Sequence, residues 1–138
     1  MKTNTVITNW KKGTTQFNCI GPHGVSTVLG TSEEGKEKIA SPKAMMLSSL
    51  AVCSGLDIIA ILKKMKVELD DFKINTVARL TEEHPKYYDG VTVVYHFFGS
   101  AIEEDKVQKA VDLSITKYCG VMEMFRNFSK IKTEIKYN

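Results

Sequence analysis

The sequence predicts an α+β fold built mostly from antiparallel sheet. Two observations carry this. The first forty residues read as short strands punctuated by turns, and a long apolar helix follows them. After that helix the order is strand, strand, helix, short helix, strand, which is not a strict alternation. The length of 138 residues fits one domain spanning 1–138, and no linker, repeat or low-complexity tract divides it.

The elements follow in order. Thr5–Trp10, Thr15–Ile20 and Val25–Leu29 are short and rich in β-branched and aromatic residues. Lys11-Lys12-Gly13 and Gly21-Pro22-His23-Gly24 separate them as turns, and Thr31–Lys38 reads as an exposed loop. Ser41 is a good N-cap and Pro42 suits the first helical position, so a helix starts there and runs to about Lys66. It is apolar around nearly its whole circumference, and one small sheet covers only one face. A second sheet or a second subunit is therefore expected over the rest.

Phe72, Ile74, Thr76, Ala78 and Leu80 alternate with polar neighbours, which predicts a half-buried strand. Val91–Phe98 is apolar on both faces and should be central, with Pro85–Gly90 as the connection. A second helix is expected from about Glu103 to Tyr118. Acidic residues open it, and Val107, Ala110, Val111, Ser114, Ile115 and Tyr118 form one stripe. Leu113 lies off that stripe. Cys119-Gly120 breaks the helix, and a short helix (Met122–Phe128) and a last strand (Ile131–Tyr137) complete the chain.

Composition excludes several functions. The net charge is only +3, Arg79 and Arg126 are the sole arginines, and no basic run exceeds two residues. A nucleic-acid partner is therefore not expected. His23, His84 and His96 are far apart and no HExxH or CxxC occurs, so no metal is expected. Phosphate-cradling glycine motifs and the GxSxG elbow are absent too. No apolar leader follows Met1, so a reducing, cytoplasmic setting is expected. The segment Ala44–Leu62 nearly has the length of a membrane span. However, three serines, Gly55 and Asp57 interrupt it, and the reading preferred is a buried central helix with no membrane partner.

The three cysteines are the candidates for chemistry. Cys53 sits near the middle of the first helix, with Asp57 one turn on along the same face. A carboxylate on an apolar helix is costly unless something polar meets it, so this face borders a polar pocket or an interface. Asp57 by itself disfavours a thiolate at Cys53, which would need a cation or N–H donors from elsewhere. Cys119, at the end of the second helix, is likewise poorly placed to ionise. Each also has a plain reading as a small buried hydrophobe, and that reading is preferred for Cys19, in a strand with no charged neighbour.

Two blocks carry a family resemblance. SPKAMMLSSLAVCSGLDIIAIL starts a long helix at a proline, with a cysteine 11 residues on, and AVDLSITKYCGV ends in the second cysteine. Between them Glu82-Glu83-His84-Pro85 is similar to a charged, proline-ended turn between paired strands. Together these resemble the OsmC/Ohr family of thiol-dependent hydroperoxide reductases, within it the YhfA-like branch. The likeness covers about residues 41–138 well and 1–40 by strand pattern alone.

The resemblance implies the OsmC-like fold, with sheets wrapped around two long central helices in an intertwined homodimer, and two active sites at the subunit interface. It also implies a peroxidatic role for Cys53 and a resolving role for Cys119. Cys53 would attack the hydroperoxide and become a sulfenic acid, Cys119 would condense with it, and an external dithiol would reduce the disulfide. No bound cofactor is implied.

The chain departs from the family pattern at three points. Residues 1–78 contain no arginine, Lys43 follows Pro42 where a glutamate is usual, and Gly120 follows Cys119 where proline is common. Lys43 and Arg79 are the substitute cations available, each with a solvated surface role as the plainer reading. These departures support a second reading, a non-catalytic small-molecule-binding module on the same fold. A third reading is an α+β dimer whose cysteines only pack.

Overall fold

A computed structural model describes all residues, 1–138. The chain forms two compact units, Met1–Met46 and Leu47–Asn138.

The first unit is an antiparallel meander of β1 (Ile7–Trp10), β2 (Gln16–Ile20) and β3 (Ser26–Gly30), in that order. Each lies within two residues of its expected position. The turn before β3 is a short 3₁₀ segment in which His23 and Gly24 take φ of 65° and 73°. Gly30 is required by close packing: a Cβ there would stand 2.2 Å from the Thr15 carbonyl oxygen. The segment from Thr31 to Ser41 is irregular. Ser32 fastens it by accepting from the Ile39 amide at 2.9 Å, and Lys36 pairs with Glu33 at 2.8 Å. No hydrophobic side chain of this unit is fully buried.

Helix α1 (Pro42–Lys64) starts as its sequence predicts, with the Ser41 hydroxyl accepting from the Ala44 amide at 3.2 Å. It ends two residues before the expected limit. Lys66 adopts φ 59°, and the Lys66 and Val67 amides turn back to the Lys63 and Leu62 carbonyls at 3.1 and 2.9 Å. This is the paired 5→2 and 6→1 closure that usually employs glycine.

In the second unit β4 (Asp71–Leu80) and β5 (Tyr88–Phe98) pair antiparallel, and β6 (Lys130–Tyr137) lies parallel to β5 on its other side. β5 is therefore central, as its two apolar faces require, and it starts three residues earlier than expected. The parallel pairing has a simple cause: α2 (Glu104–Leu113) and α3 (Gly120–Arg126) fill the connection from β5 to β6, which thus returns as a crossover.

The core joins Leu50, Ile58 and Leu62 of α1 to Val91, Val93, Tyr95 and Phe97 of β5. Val107, Ala110 and Val111 of α2 and Met122 and Phe125 of α3 complete it. Phe97 stacks on Phe72 with ring centroids 4.7 Å apart. Gly55 admits β4 closely, since a Cβ there would meet the Ile74 side chain at 3.0 Å.

α1 is long and apolar enough to cross a membrane by length and composition, yet Leu50, Ser54, Ile58 and Leu62 line this core. The opposite face is bare, with Val52, Leu56 and Ile59 each about half exposed.

Candidate functional site

The second unit brings Cys53 and Cys119 together. Cys53 is half-buried on the flank of α1, Cys119 is 4% exposed, and both are free thiols. Cys53 packs against the core cluster that contains Cys119, near enough for its side chain to act on the Cys119 thiol. The helix stripe reaches Cys119 by an unexpected route. α2 stops at Leu113, and residues Ser114–Tyr118 form one π turn. The Cys119 amide consequently donates to the carbonyl of Ser114, five residues back, at 2.8 Å. Such single π turns are common at functional positions.

The sequence placed Cys119 only at a helix C-terminus. It is also the N-cap of α3: its sulfur accepts from the Met122 amide at 3.3 Å and its carbonyl from the Glu123 amide at 3.2 Å. α3 itself begins two residues before its expected start. An N-cap amide favours a thiolate, but desolvation is the larger effect. Burial pushes the Cys119 thiol up to about 11; the Met122 amide opposes this, while Cys53 and the Asp57 charge add to it. Cys119 is therefore a neutral thiol at physiological pH.

Asp57 meets the polar partner that its position demanded. Its Oδ2 accepts from the Ser114 hydroxyl at 3.2 Å, and the same hydroxyl reaches the Ser54 carbonyl at 3.0 Å. Ser54 and Ser114 are completely buried. The Tyr95 hydroxyl donates to Ser54 Oγ at 2.9 Å, and Ser54 Oγ in turn donates to the Ala51 carbonyl at 3.1 Å. Burial raises the Tyr95 phenol to about 12, with Ser54 opposing and Cys119 adding to the rise. Tyr95, Ser54, Ser114 and Asp57 thus form a hydroxyl–carboxylate cluster beside the cysteine pair. Such fully partnered buried groups fix one arrangement of the elements that carry them.

Beyond Asp57 a groove of about 510 Å³ runs between α1 and α2. Asp57, Ala60, Ile61 and Leu113 line it, with Lys64 and Lys109 also on its walls. Leu113, which stood off the helix stripe, faces this groove.

Lys43 is exposed on the first turn of α1. Arg79 is exposed on the outer face of β4, where its Nε donates to Asp89 at 2.9 Å. Cys19 lies on β2 of the first unit, in a cavity of about 380 Å³ with Phe17 and Leu29.

Sequence reasoning missed Tyr95. Tyr95 reads as one more aromatic on an apolar strand, and nothing in its spacing marks the hydroxyl. Ser54 and Ser114 were visible only as small residues on helices. Their signal was Asp57 itself, since a half-buried carboxylate on an apolar helix calls for a donor and Ser114 lies on the stripe facing α1.

Comparison with known proteins agrees with this architecture. The family model described as OsmC-like protein matches residues 35–134. Protein YhfA of Escherichia coli (strain K12) is 30% identical over 107 residues, covering 71% of this chain and 80% of that protein. A crystal structure of a hypothetical protein from Aquifex aeolicus VF5 superposes with a TM-score of 0.82 at 31% identity, covering 100% of this chain and 99% of the other. The organic hydroperoxide resistance protein OhrB of Bacillus subtilis superposes with a TM-score of 0.67 at 18% identity, covering 98% of each chain, which is a likeness of fold alone. With its sequence matched over most of its length and its cysteine-bearing helices set on this α+β framework, the chain belongs to the OsmC family.

Proposed function

We propose that this protein is a two-cysteine, thiol-dependent reductase of organic hydroperoxides, acting as a homodimer in the cytoplasm. The observation that carries the reading is the proximity of Cys53 and Cys119, brought together from two separate helical segments. Cys53 is the more accessible of the two and suits the peroxidatic role. Its sulfur attacks the peroxide oxygen, an alcohol leaves, and a sulfenic acid remains. Cys119 is neutral and enclosed, which suits a thiol that attacks only after its neighbour has been oxidised. An external dithiol then restores both thiols by exchange.

The homodimer reading rests on the bare apolar face of α1. Val52, Leu56 and Ile59 border a groove of about 410 Å³ that Phe72 and Ile74 complete on the β4 side. A continuous apolar surface of this kind marks an interaction site.

The test is a titration with one equivalent of organic hydroperoxide, followed by mass-spectrometric thiol mapping, beside Cys53→Ser. The expected products are a Cys53 sulfenate and then a Cys53–Cys119 disulfide. If neither forms, and Cys53→Ser behaves like the parent, the reading fails.

The groove beside Asp57, walled by Ala60, Ile61 and Leu113, favours a second reading. In that case the fold serves as a non-catalytic small-molecule binder, and an apolar ligand should co-purify while hydroperoxide oxidises all three cysteines slowly and without selectivity.

A further inference from the structure

Arg126 is one of two arginines in the chain, and its guanidinium bridges two elements. Its Nη2 donates to the carbonyl of Ile115, inside the π turn, while Nη1 pairs with Glu123 at 3.1 Å on α3. These contacts explain how the turn is kept. In a regular α-helix the Cys119 amide would donate to Ile115; here it donates to Ser114 instead. The Ile115 carbonyl has lost its helical donor, and Arg126 supplies one. Reverting to α register would rotate Cys119 by about 100° around the helix axis, away from its present neighbour. A lysine cannot replace this contact pair, because one ammonium does not present the two-pronged planar donor set that reaches a carbonyl and a carboxylate together.

We propose that Arg126 is a positioning residue: by occupying the Ile115 carbonyl it holds the π turn in the register that sets Cys119 against Cys53. The inference rests on the two-cysteine reading for its role in turnover. In the resolving step the Cys119 sulfur attacks the sulfur of the Cys53 sulfenic acid. The S–S bond forms and the S–O bond breaks. The departing hydroxide takes up the Cys119 proton as water, and no further oxidant is needed. Arg126 touches none of these atoms and acts through the turn.

The experiment compares the parent chain with Arg126→Met and Arg126→Lys in two assays. First, the reduced proteins are equilibrated in glutathione redox buffers and the Cys53–Cys119 disulfide is quantified. This measures how well the two thiols are aligned without calling on any peroxidase activity. Arg126→Met should lower the effective concentration of Cys119 at Cys53 by about tenfold, a modest share of what misplacement can cost, and Arg126→Lys should fall between. Second, after one equivalent of organic hydroperoxide, Arg126→Met should lose the Cys53 thiol at the parent rate but accumulate sulfenate and sulfinate in place of disulfide.

Equal disulfide populations in the parent and Arg126→Met would overturn the inference. A parent that forms no disulfide in any buffer would overturn it too. So would a parallel drop in Cys53 oxidation, disulfide formation and melting temperature, which marks general unfolding. A parent that forms the disulfide in glutathione yet ignores hydroperoxide would sink the proposed function alone, and the redox-buffer comparison would still decide the role of Arg126.

Discussion

The two three-stranded sheets have the same number of strands and opposite burial. In β1–β3 the aromatic residues Trp10 and Phe17 are 56% and 42% exposed, whereas in β4–β6 Tyr95 and Phe97 are completely buried. The second sheet has α1, α2 and α3 on one face, and its core closes within the chain. The first sheet has no helix of its own beyond the start of α1. Its strands still carry large apolar side chains, with Phe17 and Leu29 paired across β2 and β3. The contrast teaches that the second unit closes a core by itself while the first unit buries no hydrophobic side chain fully, as the homodimer proposed above would require.

Matched substitutions test that contrast. Phe97→Ala should give the largest effect, about 3–5 kcal/mol lost in denaturant unfolding, because it opens a cavity between Phe72 and Tyr137. Phe17 is 42% exposed within the chain, so in a monomer Phe17→Ala should cost no more than about 0.5 kcal/mol. If the first sheet is covered by a second copy, the loss is larger and the melting temperature depends on protein concentration. Sedimentation of Phe17→Ala beside the parent, over a range of concentrations, reads this directly. Equal masses and equal stabilities at every dilution would remove the interface.

A smaller effect separates the units by pH. In the second unit Cys119 is raised from 9.0 to about 11 and Tyr95 from 10.0 to about 12, in each case chiefly by burial. The unfolded chain releases these protons first, so stability conferred by the neutral groups is present below about pH 9 and declines as pH rises toward 11. Urea titrations across that window should show the decline in the parent and a weaker decline in Cys119→Ala. A pH-independent midpoint would contradict the enclosed, neutral thiol.

Much of the fold was legible because local rules settled it. Ser41-Pro42 announces a helix start, the alternation of Phe72, Ile74, Thr76 and Ala78 faces a strand to the core, and two apolar faces make β5 central. The demand for a second cover on α1 followed from its circumference alone. The register around Cys119 was not legible. A stripe at i, i+3, i+4 continues smoothly through Ser114 and Ile115, and periodicity does not report a single inserted residue in the turn. Nor does sequence reveal that Arg126 would reach back to Ile115, because that contact depends on how α3 folds against the turn.

The candidate site divides in the same way. The sequence by itself determined that Cys53 and Asp57 share a helix face, that Asp57 needs a polar partner, and that no arginine precedes Arg79. Only the tertiary structure decided that the partner is Ser114, that Cys119 lies near Cys53, and that Arg79 faces outward to Asp89. The reason is physical. Position along one helix follows from its geometry, whereas contacts between elements depend on the packing of all of them at once, and here on one π turn that rotates Cys119 into place.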